Sequence, residues 1–494
     1  MKKRKVRASG ILLSLTSLPS EYGIGTMGKA ARDFVDFLKS AGQTYWQMLP
    51  VGPTGYGNSP YQSYSSFAGN PYLIDLALLC EEGLLTEEEC SAIDWGHDPK
   101  RVDYAAIEKN RLSLLRTAFE RGRNDPAVAQ FRADNAEWIE DYALYMGIKN
   151  RMDLRPWSMW DEDIKRREPE AMARWREEVK DDVDFYCFIQ YHFYKQWNAL
   201  RDYAHKNGVY LIGDIPIYAA MDSADSWADG KVFLLDDNCD PIDVAGCPPD
   251  AFSATGQLWG NPIYNWDYLK ETGYAWWIRR LRHITSMFDV TRIDHFRGFA
   301  GYYAIPYGSA TAETGEWRVG PGMDFFRAVK KALGNINVIA EDLGYLTPDV
   351  RKLLKQSGFP GMKVLQFAFD SREESDYLPH NYDHNCVVYT GTHDNDTTRS
   401  WFDTADKNDV RHAKKYLNVR RKEDGAWAFI RCAMMSTANL CIIPMQDYLN
   451  LGGEARMNVP STLGGINWQW RMTADAASPA LADKILDLTT LTCR

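Results

Sequence analysis

The chain has 494 residues, 45% of them hydrophobic, with a formal net charge of -10 and a pI near 5.5. That acidic balance argues against nucleic acid or an anionic membrane as partner, and no apolar run reaches the length that spans a bilayer. The length admits roughly two to four domains, or one barrel with insertions.

The basic start, Met1-Lys2-Lys3-Arg4-Lys5-Val6-Arg7, followed by Ile11-Leu12-Leu13, has the outline of a signal peptide. Ser14, Thr16 and Ser17 interrupt its apolar part and no clear small-residue cleavage site follows. Residues 11–15 therefore read as a first strand, with secretion the lesser alternative. Seven further short runs of Val, Ile, Leu and aromatics fall at 44–51, 209–217, 289–299, 337–344, 362–369, 385–392 and 440–446. Each is bounded by Gly, Pro, Asn or Asp.

Helical patterns of crossover length lie between several of them. Residues 324–333 precede the fifth strand, and Thr347-Pro348 sets an N-cap and a first-turn proline before 349–355. The alternation predicts an α/β fold: a single (β/α)8 TIM barrel over 1–494, with no C-terminal β-domain.

Two intervals are too long for plain crossovers. Residues 52–207, rich in Glu, Arg, Lys and Trp at helical spacing, read as an inserted helical subdomain after the second strand. Residues 218–266 read as an inserted loop region after the third strand, of the kind that lines a barrel mouth. Nine scattered cysteines fit reduced thiols in the cytoplasm better than a disulfide framework. With no Cys-x-x-Cys pair and no His/Cys cluster, neither a metal site nor a cofactor is expected.

Four carboxylates sit at the ends of these apolar runs: Asp214 in Leu-Ile-Gly-Asp, Asp294 in Arg-Ile-Asp-His, Glu341 in Val-Ile-Ala-Glu, and Asp394 in Thr-His-Asp-Asn. Burying a carboxylate is costly, so strand after strand ending in one implies a shared rim where charge is used. Arg292, two residues before Asp294, points to the same face of a strand and would hold that carboxylate ionised, as a nucleophile needs to be. Glu341 emerges from Val-Ile-Ala, where desolvation would raise its pKa and suit it to general-acid work. Asp394, between His393 and Asn395, would stabilise positive charge or grip hydroxyls. Two carboxylates of unequal pKa flanking one bond is the arrangement of glycoside cleavage. The 17 Trp and 27 Tyr offer flat faces for sugar rings, although most belong to the core.

With these motifs in place, the chain resembles the 4-α-glucanotransferases, or amylomaltases, of glycoside hydrolase family 77, relatives of the α-amylases. The resemblance runs through Gly10–Pro19, Tyr22-Gly23-Ile24-Gly25, Trp46-Gln47-Met48-Leu49-Pro50, Ser59-Pro60-Tyr61-Gln62 and Gly213-Asp214-Ile215-Pro216. It continues in Pro248-Pro249-Asp250, Arg292-Ile293-Asp294-His295-Phe296-Arg297-Gly298, Ala340-Glu341-Asp342-Leu343-Gly344 and Gly391-Thr392-His393-Asp394-Asn395. It implies a retaining mechanism with Asp294 as nucleophile, Glu341 as acid/base and Asp394 as stabiliser of the distorted ring.

By the same resemblance Arg292, Asp214 and His393 hold the sugar at the cleaved bond, and Tyr61 stacks near it. Trp259 and Asp370 line the groove, and Asp250-Ala251-Phe252-Ser253 forms a loop over the cleft. Asn458-Val459-Pro460-Ser461 departs from the family's N-x-P-G, and Ala251 stands where an aromatic is common. The implied substrates are maltooligosaccharides, amylose or other starch-derived glucans. An α-1,4-glucan hydrolase and a non-catalytic glucan-binding protein are the competing readings.

Overall fold

Eight short parallel strands close on one another. They are β1 (Ala8–Leu12), β2 (Tyr45–Gln47), β3 (Tyr210–Ile215), β6 (Val290–Ile293), β9 (Val338–Ala340), β10 (Gly361–Val364), β11 (Cys386–Tyr389) and β12 (Leu440–Pro444). The remaining strands are β4 (Asp243–Cys247), β5 (Gln257–Pro262), β7 (Gly301–Pro306) and β8 (Glu316–Val319). The structure, a computed structural model, describes residues 7–55, 57–249, 254–344, 346–372 and 374–494.

The closed barrel runs β1-β12-β11-β10-β9-β6-β3-β2, the eight-stranded parallel architecture expected from the sequence. Its strands are Val- and Ile-rich and buried on both sides, as parallel strands sheathed by helices must be. Inside the barrel, the Tyr389 hydroxyl donates to Gln47 Oε1 at 2.9 Å, joining β11 to β2. The outer layer is amphipathic helices. In Lys29–Ser40, for example, Ala31, Phe34, Val35, Phe37 and Leu38 are buried. The interval between β2 and β3 opens with an irregular stretch carrying Tyr61. It continues through the helices Tyr104–Gly122, Ala136–Arg151 and Lys180–Lys206, among others.

The structure shortens the expected strands 44–51 and 362–369 to Tyr45–Gln47 and Gly361–Val364, and departs further from the sequence expectation in two places. The run 289–299 is not one strand. The last β6–β9 ladder pair is Ile293 with Ala340, and beyond it the Glu341 amide donates to the Ile293 carbonyl and the Phe296 amide to the Glu341 carbonyl. The chain turns at the rim instead, with His295 left-handed at φ 52° and Phe296–Phe299 in a 3-10 turn. The second difference lies in 218–266, which carries β4 and β5 as well as loop. These pair antiparallel with β7 and β8 in a four-stranded sheet ordered β5-β4-β7-β8. All four strands are inserted after β3 or β6, so the sheet stands on the rim from which Asp214 and Asp294 emerge.

Ala245, Tyr302 and Ala304 attach this sheet to the main core, while Val244, Tyr303, Ile305 and Ala312 form a small separate cluster on its other face. After β12 the described chain ends in the helix Pro479–Leu491. The nine cysteines carry no disulfide. No described helix is long and apolar enough to cross a membrane.

Candidate active site

Asp214 and Arg292 lie directly opposite one another on β3 and β6, both buried. Gly213 makes that geometry possible, because a Cβ there would sit 2.4 Å from the Phe288 ring. Arg292 Nη1 donates to both Asp214 oxygens, at 2.8 and 2.6 Å, and Nη2 donates to Asp294 Oδ1 at 2.8 Å. One guanidinium thus serves two carboxylates, and together they hold its pKa well above the usual value against the opposing effect of burial. Withdrawal from bulk water pushes the Asp294 carboxyl up, while Arg292 pulls it down. The expected ionising effect of Arg292 is therefore present, and burial outweighs it.

Glu341 is the first residue after β9, one strand over from Asp294, and the ladder pair Ile293–Ala340 precedes both. Its Oε2 accepts from the His295 amide at 2.7 Å and its Oε1 from the Leu343 amide at 2.7 Å. No basic side chain pairs with it among the described residues. Desolvation, reinforced by the Asp294 charge, raises its pKa to about 7 despite the nearby Arg292 and the two amides. Of the two neighbouring carboxylates, only Asp294 has a guanidinium favouring its ionised form, while Glu341, at about 7, is held nearer its neutral form.

Asp394 follows β11 and is held from three sides. His393 Nε2 lies 3.3 Å from Oδ2, Asn458 Nδ2 donates to Oδ1 at 2.6 Å, and Arg456 donates to its carbonyl at 2.6 Å. Burial favours the neutral acid, but His393, Asn458 and Arg292 together outweigh it and lower the pKa to about 2. The reciprocal attraction raises His393 against the cost of its own burial. Tyr61 closes this side. Its ring stacks on His393 (centroids 5.0 Å apart, 18° between planes), and its hydroxyl donates to Asp214 Oδ2 at 2.8 Å. Trp468 backs both rings at about 6 Å, with centroids 5.9 Å from Tyr61 and 6.0 Å from His393.

Trp259, on β5, meets His295 edge-on at 4.8 Å and 87°, on the Glu341 side. Gln62 ties the two sides together, donating to Asn261 Oδ1 at 3.1 Å.

Eight of the nine residues singled out in the sequence thus gather at the C-terminal mouth of the barrel, where parallel α/β barrels keep their chemistry. Asp370 is apart. Its carboxylate is taken by Arg372, at 2.8 and 2.6 Å, and that pair lowers its pKa to about 2. The loop Asp250-Ala251-Phe252-Ser253 lies outside the described residues. Arg456, Asn458 and Trp468 carry no strand-end signature; the one sequence signal was the departure at Asn458-Val459-Pro460-Ser461. Among the described residues, no group of three or more His, Cys, Asp or Glu side chains could hold a metal.

Residues 13–476 match a protein-family model described as 4-alpha-glucanotransferase. A 4-alpha-glucanotransferase of Clostridium butyricum is 47% identical over 481 residues, covering 97% of this chain and 99% of that protein. One from Thermus thermophilus is 46% identical and covers 96% of each. Among solved structures, an amylomaltase from Streptococcus agalactiae in complex with acarbose superposes with a TM-score of 0.96 at 40% identity, covering 99% of both chains.

Proposed function

The chain belongs to the 4-alpha-glucanotransferase family, glycosyltransferases acting on α-1,4-glucans, and on that premise we propose a retaining double displacement at Asp294 and Glu341. An Asp294 carboxylate oxygen attacks the anomeric carbon of the donor glucan. The bond to the glycosidic oxygen breaks as the Glu341 proton passes to that oxygen, and the leaving segment departs with a free hydroxyl. Glu341, now a carboxylate, takes the proton of an incoming sugar 4-hydroxyl as it displaces Asp294 from the glycosyl ester. Enzyme and both carboxyls return to their starting state.

The observation that carries this reading is the unequal treatment of two neighbouring acids. Asp294 has the Arg292 guanidinium, whereas Glu341 has only amide donors and a pKa of about 7. Their strands are adjacent, about 4.8 Å apart, which suits the close carboxyl spacing of retaining enzymes. Asp394, ionised and fixed by His393 and Asn458, stabilises the positive ring of the transition state. Asp214, Arg292, His393 and Tyr61 hold the sugar at the cleaved bond, and Trp259 stacks the sugar beyond it.

A role for Asp370 in the groove remains part of the proposal only if Arg372 releases it. The substrates are maltooligosaccharides and longer amylose- or starch-derived chains. The location is the cytoplasm, consistent with nine free thiols.

Incubation with maltotriose alone tests the transfer. Glucose with a ladder of longer maltodextrins is the expected product set. Glucose and maltose with nothing longer would make the protein a hydrolase instead.

A further inference from the structure

The four-stranded sheet on the rim turns an apolar face outward. Cross-strand register sets Leu258, Gly246, Tyr303 and Trp317 in one row across β5, β4, β7 and β8, so their side chains share a face. Val244 with Ile305 forms the neighbouring row on that face, and Gly301 with Val319 the row on its other side. Alternation carries the same face on to Ile242 and Tyr307, which are joined by the Tyr307 amide donating to the Ile242 carbonyl at 3.1 Å.

An antiparallel sheet with one solvated face ordinarily presents polar residues to water. Here the inner face joins the core, and the outer face is apolar as well. Only its centre, Val244, Tyr303 and Ile305, is buried. Trp317 is 45% exposed, Tyr307 55% and Val319 88%, with Ile242 and Leu258 also open.

The Trp317 edge of this face meets the catalytic rim through Arg297. The Arg297 guanidinium carbon lies 4.1 Å from the Trp317 ring centroid, and Tyr303 meets the same ring edge-on at 5.2 Å. Arg297 is two residues beyond His295, a chain distance of at most ~7 Å, and the His295 amide holds Glu341. Trp259, next to Leu258 on β5, points to the opposite, inner face of the sheet and lies against His295. From the turn that holds the proton donor, Arg297 therefore leads outward to Trp317, while Trp259 lines the inner side of the same sheet.

We propose that Trp317, with the exposed apolar row around it, is a distal subsite for the leaving-group and acceptor end of a long α-1,4-glucan. The assignment rests on the glucan-transfer reading. An indole fixed by Arg297 and Tyr303, and partly open to water, presents a preset surface to the C–H faces of pyranose rings. Short oligosaccharides that fill only the sites next to Glu341 do not reach it. Long chains do, so the subsite acts on chain-length preference rather than on the chemical step.

The test compares kcat/KM for amylose with kcat/KM for maltotriose in each variant. For Trp317→Ala the amylose-to-maltotriose ratio falls about fivefold or more, through KM, and Trp317→Phe restores most of it. Val319→Asp, at the most exposed position of the face, lowers the ratio in the same sense without disturbing the packing around Tyr303, and it decides the matter if Trp317→Ala does not fold. An unchanged ratio in the folded variants overturns the subsite. If the unaltered enzyme fails to disproportionate maltotriose, the transfer reading is what fails. Affinity electrophoresis in amylose gels then decides the subsite, equal retardation of Trp317→Ala and the unaltered protein overturning it.

Discussion

The amide of His295 donates to the Glu341 carboxylate at 2.7 Å, so the residue directly after Asp294 positions the neighbouring acid. The left-handed backbone of His295 is what aims that amide toward β9. Nucleophile and acid are thus linked by one turn of main chain.

Replacing Glu341 by Gln removes the proton and keeps the shape of the side chain, but leaves one oxygen to accept from the His295 and Leu343 amides where the carboxyl offers two. Turnover of maltotriose is expected to fall by about 10²- to 10⁴-fold. A maltosyl fluoride donor needs no proton on its leaving group and is expected to load the variant, leaving a glycosyl adduct on Asp294 that mass spectrometry of peptides locates. Asp294→Asn, by contrast, is expected to lose more than ~10³-fold with either donor. An adduct on any other residue contradicts the assignment.

Glu341 must be protonated to act as acid, and its pKa of about 7 lies above the ordinary value. Activity is therefore present below neutrality and kcat/KM falls as pH rises through about 7, while fluoride donors lose that alkaline limb. Stability follows the same sign. Because the folded pKa is raised, the folded protein gives up stability as pH rises through about 7 and the buried carboxyl ionises. Glu341→Gln, permanently neutral, should lack this loss, so its melting temperature relative to the unaltered protein should rise between pH 5 and pH 8.

Arg292 is the sole cation paired with Asp214 and Asp294 among the described residues. Arg292→Met leaves both without their partner, and breaking a buried pair of this kind costs about 3–5 kcal/mol. Arg292→Lys restores the charge but not the forked donor geometry, so urea denaturation is expected to place it between the two. Equal stability of all three would contradict a stabilising role for the Asp214–Arg292–Asp294 ion pairs.

Asn458 donates to Asp394 at 2.6 Å from outside the strand-end motifs. Hydrogen bonds to charged groups contribute about 1.5–3 kcal/mol, so Asn458→Ala is expected to lower kcat roughly tenfold or more. The acid limb of the pH profile should also move up as Asp394 becomes easier to protonate. A change confined to KM would place Asn458 in sugar binding alone.

The barrel was legible because each of its strands is a short run buried on both sides and punctuated by Gly, Pro, Asn or Asp. The strand-end carboxylates were legible for the same reason, since an acid at the edge of Val-Ile-Ala or Leu-Ile-Gly stands out. The rim sheet was not. β4 reads Asp-Val-Ala-Gly-Cys, too small and broken to register as a strand, and β7 follows so closely on 289–299 that the aromatic run blurs the boundary. Trp468 and Asn458 reach the site from the irregular chain after β12, where no periodicity marks them. The Arg372 partner of Asp370 is two residues away in sequence, and nothing in the local pattern distinguishes a surface pair from a groove residue.

Among the described residues, the ion pairs at the mouth set three carboxylates, Asp214, Asp294 and Asp394, against one guanidinium, Arg292, and one imidazole, His393. The resting pocket is richer in acids than in bases, and an uncharged sugar ring does not offset that. As the glycosidic bond stretches, the anomeric centre does. The mouth of the barrel is thus a mould for a cation that exists only in passing. A ring of glucose shape carrying a permanent ammonium at that position should displace glucose itself.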